Sequence, residues 1–128
     1  MKAVRLHKYH ERPSLDDVPE PEVRGPLDVL VRIGAAGLCR TDLHIYEGQW
    51  EPLTHPELPF TLGHENAGWV EEVGSAVSNL APGDTVILHP HITCGLCRYC
   101  RAGDEMHCTS SRFPGVDGTD GGMADYLL

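Results

Sequence analysis

Cys94, Cys97, Cys100 and Cys108 stand in the spacing C-x2-C-x2-C-x7-C. Four thiolates within 15 residues match a closed tetrahedral zinc site, in which metal–sulfur bonds of about 2.3 Å replace the packing that a loop lacks. Gly95 and Gly103 permit the tight turns this spacing requires. Disulfides are the alternative, but the x2 spacings would strain them. A metal with four sulfur ligands has no open position, so its role would be structural, stapling a lobe over about residues 89–112. His89 and His91 lie just upstream and are read as loop or pocket residues, because the sulfurs already complete the shell.

The chain has 5 cysteines, which leaves Cys39 over. Gly63-His64-Glu65 follows further along, and a Cys/His pair is the start of a catalytic zinc site, which has three protein ligands and one open position. Thr41 and His44 are three apart on a helix expected over Arg40 to Tyr46. They share a face, and a hydroxyl beside an imidazole is the material of a proton relay. Each of these residues also has a plain structural reading. Cys39 alone would be a small buried hydrophobe and His64 a satisfied core histidine. Thr41 and Asp42 would be helix caps, and His44 a surface residue.

The elements that must position these groups read as mostly β. Met1 to Leu6 is a first strand, and Asp28 to Ile33 a second with Val29, Val31 and Ile33 on one face. Gly34 to Gly37 allow close backbone approach, and Gly48 ends the helix. Glu51 to Pro59 holds three prolines and reads as loop. Ala67 to Val73 reads as a strand interrupted at Glu71 and Glu72 by a bulge or twist. Pro82-Gly83-Asp84 turns into the strand Thr85 to Leu88, and Met123 to Leu128 resumes an apolar strand pattern. Between them, His89 to Gly122 is too long for an unsupported loop, so the cysteines must hold it.

The whole has 128 residues, 41% hydrophobic and 23% charged, which suits one domain with one core. With 19 acidic against 10 basic residues, a net charge of −9 repels phosphate backbones, which argues against nucleic acid and anionic membranes as partners and against a nucleic-acid-binding zinc ribbon. No apolar stretch approaches the ~18 residues a membrane span needs. Arg5, His7 and Lys8 break up any signal-peptide core, so a reducing cytoplasm is the expected compartment and the cysteines are expected as ligands or free thiols.

Taken together, these motifs resemble the zinc-dependent medium-chain alcohol dehydrogenases, in particular their N-terminal catalytic, GroES-like domain. Gly63-His64-Glu65-x2-Gly68-x5-Gly74-x2-Val77 matches that family's zinc signature, and Cys39-Arg40-Thr41-Asp42-Leu43-His44 its first-ligand motif. The cysteine lobe matches its structural zinc site, and Gly121-Gly122-Met123-Ala124-Asp125-Tyr126 approximates its G-G-F-A-E-Y. The resemblance covers residues 1–128 and implies a mainly β (α+β) domain, a partly open β-barrel with short helices. It implies that Cys39 and His64 ligate a catalytic zinc, that Glu65 lies behind the metal and can swing in, and that Asp42 orients His64. It implies that Thr41 takes the alcohol proton and passes it, through the ribose of NAD, to His44, and that Arg40 meets the cofactor pyrophosphate. Trp50 would line the substrate pocket and narrow it. The family's nucleotide-binding Rossmann domain and third catalytic ligand have no counterpart here, since no G-x-G-x-x-G occurs. The expectation is therefore no turnover by this chain alone, with a non-enzymatic zinc-binding scaffold as the alternative. A small alcohol or carbonyl is the expected partner, and the Met123 to Leu128 edge offers a surface on which a homo-oligomer could form.

Overall fold

The computed structural model describes residues 1–128. Two open antiparallel sheets carry a GroES-like fold. Strands β1 (Lys2–Leu6), β2 (Ser14–Asp17) and β4 (Phe60–Thr61) form one, in the order β2-β1-β4. Strands β3 (Val29–Gly37), β5 (Glu65–Val73), β6 (Thr85–Leu88) and β7 (Tyr126–Leu127) form the other, in the order β6-β5-β3-β7. Helix α1 (Arg40–Tyr46) follows β3 directly, and α2 (Glu51–Thr54) precedes β4.

The β3–β5 ladder is the pairing that matters for the chemistry. It runs from Val29 opposite Val73 to Gly37 opposite Glu65, so the end of β3, which leads into Cys39, meets the start of β5, which opens with Glu65 directly after His64. Two bulges re-aim the strands. Glu71 is the extra residue between the partners of Leu30 and Val31, where the sequence places an interruption. Gly34 is the extra residue on β3, and the Trp69 ring lies over it: a Cβ there would sit 2.5 Å from the ring.

The core is Leu6, Ile45, Phe60, Leu62 and Val116, with Tyr9, Tyr46, Trp50, Phe113 and Met123 packed around it. Each fully buried side chain of this kind contributes about 1.5–3 kcal/mol, so this cluster ties α1, β1, β4 and the 113–123 segment together. The cysteine lobe stands apart. Its neck is closed by two reciprocal backbone hydrogen bonds of 2.9 Å between Ile92 and Arg112, and inside it are only a turn of helix, α3 (Arg98–Arg101), and a 3-10 turn at Glu105–His107.

Four expectations are corrected. Glu51 to Pro59 is not all loop: α2 forms because Pro52 sits in its first turn, where its missing N–H costs nothing. The second predicted strand continues through Gly34 to Gly37, where Trp69 and Glu65 of β5 fill the space a side chain would take at Gly34 and Gly37 and small residues let the strands approach. The third begins at Glu65 rather than Ala67. The last is ladder only at Tyr126–Leu127, with one bridge from Ala124 to Ala3. No helix is long and apolar enough to cross a membrane.

Candidate functional site

The four lobe sulfurs converge. All lie within 4.8 Å of one another, with Cys97 to Cys100 at 3.5 Å, Cys94 to Cys108 at 3.6 Å and Cys94 to Cys100 at 4.0 Å. A tetrahedron with bonds of about 2.3 Å has edges of about 3.8 Å, so the donor set fits a tetrahedral zinc. None of the five cysteines is in a disulfide. Backbone N–H groups point at the sulfurs: Cys97 donates to Cys94 at 3.3 Å and Cys94 to Cys108 at 3.4 Å. Such donors favour thiolates. The Cys100 amide, with lesser help from other backbone groups, holds Cys97 at about 6 against the opposing effect of burial. The Cys94 and Ser110 amides likewise draw Cys108 below the usual thiol range. Cys100 goes the other way, pushed up to about 11 first by burial and then by its sulfur neighbours. Backbone donors that favour thiolate at Cys97 and Cys108, with two further sulfurs converging on them, suit a divalent cation that all four sulfurs would share.

The second cluster is assembled over distance. Donor atoms of Cys39, His64 and Glu65 also lie within 4.8 Å of one another. Cys39 is half-buried at the N-cap of α1, His64 is buried, and Glu65 is exposed. Asp42 joins them, with a side chain only 2% exposed. Its Oδ2 accepts the Cys39 N–H at 2.8 Å, while its Oδ1 lies 3.5 Å from His64 Nδ1. Neither Oδ1 nor Nδ1 has a hydrogen-bond partner, so this ion-pair approach is the polar contact each makes. With Nδ1 turned to a carboxylate, Nε2 is the nitrogen left to face a metal, so the donor set of sulfur, imidazole and carboxylate fits zinc.

Beside His64 opens a cavity of roughly 180 Å³, walled by Thr41, Trp50, Phe113, Val116 and Asp117. The Thr41 hydroxyl lies 3.6 Å from the Cys39 sulfur. Trp50 is half-buried in this wall, where a large ring narrows the space. His44 is also half-buried, 29% exposed, rather than the surface residue of the plain reading, with Nδ1 3.8 Å from a Glu47 oxygen. Arg40 is exposed at the start of α1. His89 and His91 stay outside the metal cluster, and His91 stacks on Phe113 with ring centroids 5.9 Å apart.

Sequence reasoning missed Phe113 and Asp117. The Phe113 ring centroid is 5.9 Å from that of His64. Burial works against the Asp117 charge, yet the Thr119 hydroxyl and the Phe113 and Thr119 amides, both at 2.9 Å, outweigh it and hold its carboxyl below the usual range. Asp117 before Gly118 carries a turn signal, but nothing local says which cavity the turn walls.

The alcohol dehydrogenase GroES-like domain family matches residues 25–128, and the chain belongs to it. An NAD-dependent alcohol dehydrogenase of Sulfurisphaera tokodaii is 41% identical over 133 aligned residues, covering 100% of this chain and 38% of that protein. A D-arabinose 1-dehydrogenase (NADP(+)) of Saccharolobus solfataricus is 42% identical over 127, covering 99% and 35%. Among solved structures, the alcohol dehydrogenase of Aeropyrum pernix superposes with a TM-score of 0.95 at 50% identity, covering 99% of this chain and 37% of that one. The chain thus spans under two-fifths of the length of these relatives.

Proposed function

We propose that residues 1–128 are the metal-binding and proton-handling domain of a zinc-dependent, NAD-linked alcohol dehydrogenase, which oxidises a small alcohol to an aldehyde or ketone. The observation that carries this reading is the convergence of Cys39, His64 and Glu65 beside a cavity whose wall includes His64 and Thr41.

Cys39, His64 and Glu65 would hold the catalytic zinc, and Cys94, Cys97, Cys100 and Cys108 the structural one. Zinc at the first site supplies Lewis acidity, which makes an alcohol hydroxyl acidic enough to ionise near neutral pH. Asp42 fixes the His64 tautomer while capping α1 through the Cys39 N–H. Thr41 is placed to take the hydroxyl proton as it hands on its own, and His44, on the same helix face and partly open to solvent, is placed to release a proton outward. Trp50, Phe113 and Val116 bound the space for the alcohol's carbon skeleton and exclude water from it. Arg40, free of other partners at the surface, suits a cofactor pyrophosphate. Hydride transfer calls for a nucleotide-binding domain that these residues do not form, so turnover belongs to a longer chain. A cytoplasmic setting and self-association through the β7 edge complete the reading.

Elemental analysis tests it. The expected content is two zinc ions per chain, falling to one in Cys39→Ser and in His64→Ala. A longer chain that includes a nucleotide-binding domain should oxidise short primary or secondary alcohols with NAD. One zinc per wild-type chain, or no such oxidation, would sink the proposal in favour of a non-enzymatic zinc scaffold.

A further inference from the structure

His64 reaches its cluster from an unusual piece of backbone. Gly63, just before it, has φ +101°, which only glycine adopts readily, and Met123 fills the space a Cβ would take there. A Cβ on Gly115 would sit 2.5 Å from the Gly63 carbonyl oxygen, and one on Gly121 would overlap the same carbonyl. That oxygen accepts two hydrogen bonds, from the Gly122 N–H at 2.9 Å and from the Asn66 side-chain amide at 3.2 Å. Asn66 is 4% exposed and is fixed by the ladders on both flanks of β5, opposite Ala36 on β3 and Leu88 on β6. The absence of a side chain at Gly122 makes room for its amide.

The other end of that amide is unusual. Asn66 Oδ1 is buried with no hydrogen-bond partner. Selection for stability alone would place leucine or methionine here, since an unpaired buried acceptor carries a penalty that an apolar side chain avoids. The part of Asn66 that is used is its N–H donor, and what it holds is the carbonyl one peptide before the imidazole.

We propose that Asn66 is the positioning residue for His64: through the Gly63 carbonyl it locks the backbone from which the imidazole is delivered to Cys39. This rests on the reading of Cys39, His64 and Glu65 as a zinc site. Ladder-held Asn66 and carboxylate-held Nδ1 then act as two independent constraints on one ring, from the backbone side and from the ring side.

Cobalt(II) titration of the 128-residue protein tests this, because thiolate–cobalt absorption bands distinguish a four-sulfur site from a site with one sulfur. In Asn66→Leu and Asn66→Ala, cobalt affinity at the Cys39–His64 site should fall about 10- to 100-fold, as when other outer supports of a metal site are removed. The lobe should bind as before, and Asn66→Leu should melt at or above the wild-type temperature. Undiminished affinity at the Cys39–His64 site in either variant overturns the proposal. So does an equal loss at both sites together with a lower melting temperature, which would make Asn66 a general folding residue. If the wild type takes up one cobalt per chain, the zinc-site reading fails and this proposal with it; two cobalts with insensitive variants overturn this proposal alone.

Discussion

The lobe and the Cys39–His64 site both gather metal-type donors within 4.8 Å, but they do so by opposite means. The lobe uses four identical ligands from one short stretch, with little regular structure to hold them and Cys94 exposed. The other site brings three different donors together where β3 and β5 meet, with an ordered backbone, a buried imidazole and a cavity at its side. In the first, the metal would supply the fold. In the second, the fold supplies the site, and three donors would leave a coordination position open for chemistry. A closed set of one ligand type gains rigidity, whereas a mixed set held by the scaffold leaves a coordination position free.

The largest expected effect lies on the lobe side of this contrast. Cys97→Ala should abolish the lobe's metal binding and cost several kcal/mol of the ~10–16 kcal/mol that structural zinc contributes in small metal domains. Zinc content should fall by one per chain and the urea midpoint should drop, with the Cys39–His64 site still loaded. If zinc content and urea midpoint both stay put, the lobe is not metal-dependent and the contrast breaks. Second comes Thr41→Ala in a chain able to turn over. Its kcat should fall about 10²- to 10⁴-fold, the usual worth of a general base, while zinc content and stability stay within experimental error. Matched losses in rate and stability would make Thr41 a capping residue and nothing more.

What the sequence disclosed follows the same division. The convergence of the four lobe cysteines was legible because they are neighbours in the chain and their spacing carries it, whereas α3, the 3-10 turn and the Ile92–Arg112 neck were not. For the second site the ligand types were legible, but their meeting depends on the β3–β5 register. That register rests on the Glu71 and Gly34 bulges, and only the first left a trace in the hydrophobic pattern. Helix α1 was readable to the residue, with Gly48 as its stop, although its N-cap is Cys39 and not Thr41 or Asp42. Strand β2 was not, since Ser14–Asp17 is mostly polar and pairs with β1 through the backbone ladder and an exposed Lys2–Asp17 ion pair, neither of which leaves a hydrophobic period. Two-residue β4 carries no period at all. Phe113, Asp117 and Asn66 went unseen because a single Phe, Asp or Asn has no pattern: Asn66 and Asp117 bond close by in the chain, and neither those bonds nor the distant His64–Phe113 contact carries a sequence signal.

Asp42 sharpens the comparison on the side of the assembled site, because its two oxygens do different work. Asp42→Asn keeps an acceptor for the Cys39 N–H but places a neutral amide against His64 Nδ1. Metal affinity at that site should fall about 10- to 100-fold with stability nearly intact. Asp42→Ala loses the cap as well and should cost about 1 kcal/mol more. Zinc competition with a chromophoric chelator separates the two variants, and equal affinities in Asn and wild type would remove the orienting role.

The smallest effect is an acid dependence on the carboxylates that brace loops away from the lobe. Asp28 is held below the usual range by the Gly25 and Arg24 N–H groups, at 2.6 and 3.0 Å, and Asp117 is depressed as well. A depressed folded-state pKa means the charged form is the one the fold favours. The resulting stability is complete above the unfolded carboxyl value of about 3.9 and is lost as pH falls through the lower folded value. Acid should therefore loosen the Asp117 turn, and with it the wall of the cavity, only below about pH 4. Asp117→Asn keeps an acceptor but removes the titration. The gap in thermal stability between Asp117→Asn and wild type should be constant from pH 5 to 8 and close on acidification below about pH 4. A gap that widens on acidification would mean that the neutral carboxyl is the favoured form, and that Asp117 belongs to the proton chemistry of the cavity and not to its architecture.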